Sequence, residues 1–118
     1  MESNANSAQE NYNYFYVLWC KDQSLYAGYT TDLKRREKEH NTGIGAKYTR
    51  PATRRPLIMI YAETFETKSE AMRMEFAFKQ LTRPQKEAYL EKNGVAFPLT
   101  RKHPCLVKEV KVNENTKE

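Results

Sequence analysis

Between Tyr14 and His40 the chain reads YFYVLWCKDQSLYAGYTTDLKRREKEH, in which two aromatic runs lead into a basic segment carrying Arg36 and, four residues on, His40. At helical spacing those two side chains lie one turn apart on the same face. Tyrosine, arginine and histidine together can move a proton and stabilise the negative charge that builds on a phosphorane, with no covalent enzyme intermediate. The chemistry they suit is phosphodiester hydrolysis. A site of that kind still needs a metal ligand and a nucleic-acid surface from the rest of the chain.

The elements that would position these groups can be read from pattern. Tyr14 to Cys20 is almost entirely aromatic or β-branched, Lys21-Asp22-Gln23 is turn-like, and Leu25 to Tyr29 is a second short run, which together predict a β-hairpin. Thr31 is placed to cap a helix from Asp32 to about Asn41, with Leu33, Arg36, Glu37 and His40 on one face. Leu57 to Ala62 is apolar on both alternating sets of positions and reads as a central strand covered on both sides. Thr67-Lys68-Ser69-Glu70 is a capping-box signature for a helix to about Gln80, with Ala71, Met74, Phe78 and Leu81 inward and Glu75 beside that stripe. Thr82-Arg83-Pro84-Gln85 repeats the start signal, and Asn93-Gly94 ends the third helix. Phe97-Pro98-Leu99 is expected to pack back on the core, and Cys105 to Val112 alternates weakly, like an edge strand.

One condition on the hairpin decides whether its tyrosines can cooperate. An even loop pairing Cys20 with Leu25 would put Tyr16 and Tyr26 on opposite faces of the sheet, whereas a loop of three or five residues, or a bulge, puts them together. The catalytic arrangement requires the second.

At 118 residues and 39% hydrophobic content, the chain can bury one modest core. We expect a disordered polar segment over 1–13, a folded domain over 14–94 and an extension over 95–118 that is partly packed or flexible. No apolar stretch in the first thirteen residues resembles a signal peptide or membrane span, so a cytoplasmic protein that does not engage membranes is expected. Cys20 and Cys105 have no metal-type or redox-motif spacing and read as reduced thiols. The net charge of +5 is unevenly placed: residues 13–60 hold nine bases against four acids, while 61–92 balance six against six. Lys47, Arg50, Arg54 and Arg55, with Tyr48 among them and no acid between Gly43 and Leu57, form a candidate loop for tracking a phosphate backbone.

In their order these residues resemble the GIY-YIG nuclease superfamily. Tyr14-Phe15-Tyr16 stands where the family has its first tripeptide, keeping the last tyrosine, and Tyr26-Ala27-Gly28 stands where it has its second. Arg36 follows ten residues after Tyr26, His40 four further, and Glu75 falls within the next long helix. Gly45-Ala46-Lys47-Tyr48-Thr49-Arg50 and Lys79-Gln80-Leu81-Thr82 are similar to the small stand-alone bacterial branch, and the resemblance spans about residues 14 to 92. It implies an α+β domain in which a three-stranded antiparallel sheet is flanked by helices in the order β-β-α-β-α-α. Tyr14 and Phe15 replace the small and aliphatic residues of the namesake motif. Many members carry a further asparagine after the glutamate helix, for which Asn93 is the candidate.

The same resemblance distributes the chemistry. Tyr16, with its phenol lowered by nearby positive charge and by His40, would take the proton from water, and Tyr26 would bind phosphate or orient the water. Arg36 would clamp the scissile phosphate with its planar donors. Glu75 would hold one Mg²⁺ or Mn²⁺, with water and substrate oxygens completing the octahedron. The expected activity is a metal-dependent endonuclease, a hydrolase that nicks structured or damaged DNA, as in DNA repair, and acts as a monomer or weak dimer. The alternative is a non-catalytic nucleic-acid-binding module of the same fold.

Overall fold

A computed structural model describes residues 12–109. Its elements are β1 (Asn13–Trp19), β2 (Leu25–Thr30), α1 (Leu33–Asn41), β3 (Ile58–Phe65), α2 (Lys68–Lys79), α3 (Arg83–Lys92) and β4 (Leu106–Glu109), with short 3-10 turns at Lys47–Thr49 and Ala52–Arg54. The expected disorder over 1–13 falls outside the described residues except for Tyr12 and Asn13, and Asn13 already opens β1. Residues 110–118 of the expected extension are likewise outside them.

The sheet has the order β2-β1-β3-β4. β1 runs antiparallel to β2 and β3, and β4 lies parallel to β3, with Tyr61 opposite Leu106. The sheet is therefore four-stranded and mixed rather than three-stranded and antiparallel. The chain leaves α3 at Gly94, whose φ of +107° suits a helix end. It then packs Val95, Phe97 and Leu99 against the core and returns along the outer edge of β3 in the same direction. Four exposed residues carry that pairing, too few to announce a strand direction.

Alternation sorts β1 between two layers. Phe15, Val17 and Trp19 point to one side with Ala27, Ile60 and Tyr61, where Phe78 of α2 and Leu90 of α3 close the larger core. Tyr16, Leu18 and Cys20 point to the other, with Leu57, Met59 and Ala62 and with Leu33 of α1 against them. A register shift between β1 and β3 skips Ile60, which places Ile60 and its neighbour Tyr61 on the same side. Glu63 is buried in the larger core and accepts hydrogen bonds from the hydroxyls of Tyr61, at 2.7 Å, and Tyr89.

Capping follows the sequence signals with one displacement. Thr67 caps α2 by accepting from the Glu70 amide, and Thr82 and Gln85 form the reciprocal box on α3. At α1 the cap is Asp32, not Thr31; its carboxylate accepts from the Arg35 amide while Thr30 Oγ1 accepts from the Asp32 amide. Two side chains then dock α1 on the start of β3. Glu37 accepts from the Met59 amide at 2.8 Å, and Asn41 exchanges two bonds with the Leu57 backbone at 2.8 and 3.0 Å.

Candidate active site

The hairpin turn spans five residues, because Trp19 pairs with Leu25. Tyr16 therefore faces Gly28 across the ladder, Leu18 faces Tyr26, and both tyrosines lie on the α1 side of the sheet. The Tyr16 ring leans over Gly28: a Cβ built there would stand 2.3 Å from the phenol oxygen. Glycine is required at this position because the ring occupies the side-chain volume.

The phenol oxygen of Tyr16 is the junction of the site. Arg36 Nε donates to it at 3.3 Å, and His40 Nε2 lies 2.7 Å away. His40 is fully buried, and its other ring nitrogen lies 2.7 Å from Thr49 Oγ1, whose hydroxyl donates to the Ala46 carbonyl. With that hydroxyl proton committed, the consistent assignment has His40 Nδ1–H donating to Thr49 and Tyr16 O–H donating to His40 Nε2. Burial, reinforced by the positive charge of Arg36, pulls His40 down to about 4. Burial also pushes Tyr16 up to about 12, although the bond from Arg36 and its charge work the other way. The lowering of Tyr16 expected from a cationic neighbourhood is thus reversed, since the phenol is more strongly desolvated than it is favoured by one guanidinium. Tyr16 and His40 form a neutral pair joined by a short hydrogen bond.

Among the described residues, Arg36 commits Nε to Tyr16 and Nη1 to Glu39 at 2.8 Å, which leaves Nη2 for a ligand. Tyr26 lies beside this group, with its ring 5.5 Å from that of His40 and stacked on Tyr48 at 5.6 Å. Glu75 approaches from α2, near enough that its charge raises the Tyr16 phenol. Its carboxylate pairs with Lys79 at 3.0 Å, and the Lys79 ammonium also stands 5.3 Å from the centre of the Tyr26 ring. No group of three or more metal-type side chains occurs among the described residues. A hard divalent ion at this place would take Glu75 as its one protein ligand and complete its shell with water and phosphate oxygens. The donor chemistry fits, provided Lys79 gives way.

The basic loop divides in two. Lys47 and Arg50 are exposed. Tyr48 has Tyr26 on one face and the Arg54 guanidinium 3.9 Å from the ring centre, so its rim rather than its face is open. Arg54 is also bound to Asp22 and the Tyr48 carbonyl, and Arg55 to the Asn41 and Arg50 carbonyls, which makes both part of the loop's framework. Asn93 bonds the Tyr89 carbonyl and Lys108 on β4, at the sheet edge away from β2, and is not brought to the site. Two participants were given no site role from the sequence: Thr49, which fixes the His40 ring, and Lys79, whose i,i+4 spacing from Glu75 does signal the pair that holds it. Gly45 is a third; a Cβ there would meet His40 Nδ1 at 2.5 Å.

A hairpin carrying two tyrosines on one face, an arginine and histidine on the following helix, and a glutamate on the helix after the third strand define a GIY-YIG catalytic domain. The chain matches that domain over residues 12–88 and belongs to the GIY-YIG family, whose activity is that of nucleases and whose substrate is nucleic acid. A UPF0213 protein of Enterococcus faecalis is 65% identical over 79 residues, covering 67% of this chain and 90% of that one. The UPF0213 protein YazA of Bacillus subtilis is 57% identical over 83 residues, covering 70% and 82%. The solution NMR structure of an E. faecalis protein, 57% identical, superposes with a TM-score of 0.51 and covers 76% of this chain and 94% of that one. No helix among the described residues is long and apolar enough to cross a membrane.

Proposed function

We propose that this chain is a Mg²⁺- or Mn²⁺-dependent endonuclease that nicks structured or damaged DNA. The observation that supports it most is the Tyr16 hydroxyl held between a guanidinium and a neutral imidazole. As water attacks phosphorus and the P–O bond to the leaving nucleotide breaks, the water's proton passes to the Tyr16 oxygen while the Tyr16 proton passes to His40 Nε2, and the departing oxygen takes a proton from solvent. The imidazolium that forms keeps its other N–H on Thr49. His40 is the terminal acceptor, so a phenol at about 12 serves without being ionised beforehand. Arg36, already at the phenol oxygen, clamps the scissile phosphate and stabilises its growing charge. Glu75 would hold the ion, which would supply Lewis-acid stabilisation of the phosphate, and Tyr26, beside His40, would orient the attacking water. Such an enzyme needs no membrane or second copy to cut one strand.

The second reading, a non-catalytic nucleic-acid-binding module, is favoured by the Glu75–Lys79 pair, which occupies the carboxylate the metal would need. Supercoiled plasmid and a panel of labelled flaps and junctions separate the two. Metal-dependent nicking that Arg36→Ala and Glu75→Ala each reduce by at least ~100-fold establishes the enzyme. Salt-sensitive binding with no cutting in any divalent ion establishes the module.

A further inference from the structure

The β1–β2 turn, residues 20–24, collects basic side chains from four separate parts of the chain. Lys21 belongs to the turn and is exposed, with no side-chain partner among the described residues. Arg54, from the basic loop, bonds Asp22 at 3.1 Å and accepts the Lys21 amide on its carbonyl at 3.0 Å. Arg83, at the start of α3, donates to the Gln23 carbonyl at 2.9 Å. Arg101, from the segment after α3, donates to the Cys20 carbonyl at 3.4 Å and lies 4.1 Å from the centre of the Trp19 ring.

Against these four cations stand Asp22, paired with Arg54, and Glu87, paired with Arg83. The turn is therefore net positive, and its guanidiniums are oriented: each is fixed through part of its fork, and Arg83 remains 43% exposed. The cluster is continuous with the active site. His40, Tyr26, Tyr48 and Arg54 follow one another at separations of 5.5, 5.6 and 3.9 Å, and Arg54 is bonded to the turn. At about 3.4 Å per nucleotide along one strand, that path corresponds to about four nucleotides.

We propose that the hairpin turn is a second nucleic-acid contact surface, at which Lys21, Arg83 and Arg101 bind backbone phosphates of the strand leading away from the cleavage point. The occupant is a polyanionic backbone, because oriented guanidiniums and a free ammonium match phosphate oxygens and the cluster offers no open aromatic face for a base. This rests on the nuclease reading, and it gives the segment beyond the matched domain, through Arg101, a share in substrate binding.

The test is equilibrium binding of the full chain in EDTA, across a salt series, to a long duplex of about 20 base pairs. Lys21→Gln, Arg83→Gln and Arg101→Gln, alone and combined, keep an amide donor for the turn carbonyls and remove the charge. On that duplex the combined variant is expected to flatten the slope of log K against log salt by about 0.9 for each phosphate it no longer neutralises. Equal slopes for wild type and the combined variant on the long duplex would overturn the surface, whatever happened to thermal stability. Loss of salt-dependent binding in wild type itself would overturn the nucleic-acid reading beneath it.

Discussion

At the residue scale, Gly28 and Tyr16 act as one unit. Gly28→Ala would press a methyl onto the phenol, so Tyr16 must rotate off His40 and Arg36. We expect at least a ~100-fold loss of nicking, close to that of Tyr16→Phe, with the far-UV circular dichroism unchanged. His40 gives a pH test with a definite sign. Its pKa falls from 6.5 in the unfolded chain to about 4 in the fold, so the unfolded state binds more protons between those values. Its contribution to stability is whole above 6.5 and is lost as pH falls through 4. Chemical denaturation across pH 4 to 7 should show His40→Gln flattening that decline, and the His40 imidazole should stay neutral by NMR at about pH 5.5. Tyr16, raised to about 12, works the other way and weakens the fold only as pH climbs from 10. Lys79 adds a measurement independent of turnover. Lys79→Met frees the Glu75 carboxylate and should tighten Mn²⁺ binding by calorimetry about 2- to 5-fold, the scale of one partly exposed ion pair; unchanged affinity would separate Lys79 from the metal.

At the element scale, α1 carries Arg36 and His40, and its seat on the sheet depends on Asn41 mimicking a strand partner for Leu57. Asn41→Ala leaves two backbone groups without their partner. It should cost about 1–3 kcal/mol in urea unfolding, with nicking falling in step with the misplaced helix. Much at this level is legible in the sequence. The caps of α2 and α3, the inward stripe of α2 and the doubly covered β3 are local patterns, and local patterns survive in sequence. Asp32 displaces Thr31 as the α1 cap because either side chain can cap, and only the backbone entry angle chooses. The parallel course of β4 leaves no trace, since direction is set by how the segment after α3 wraps the core. Tyr48 and Arg54 read alike as parts of a loop for tracking a phosphate backbone, but Tyr48 is engaged by Tyr26 and Arg54, a partnership made by loop closure that spacing does not encode. The lowered Tyr16 fails for a similar reason: charge can be counted along a chain, and burial cannot.

At the scale of the molecule, Tyr16, Arg36, His40 and Glu75 make up one candidate site among the described residues. Supercoiled plasmid should therefore accumulate as the open-circular form well before any linear product, with an initial rate first order in protein. A rate rising with the square of concentration would indicate that two chains act together.

Cutting competence also hangs on which residues sit opposite one another in this ribbon. Sliding β2 by one residue against β1 would turn Tyr26 to the reverse side, stranding half the catalytic apparatus beneath α2 and α3, and sliding it by two would restore the side. A glycine inserted after Gln23 and absorbed by the loop keeps Trp19 opposite Leu25 and leaves cutting intact, whereas a substitution that slips the register yields a protein that folds well and is inert.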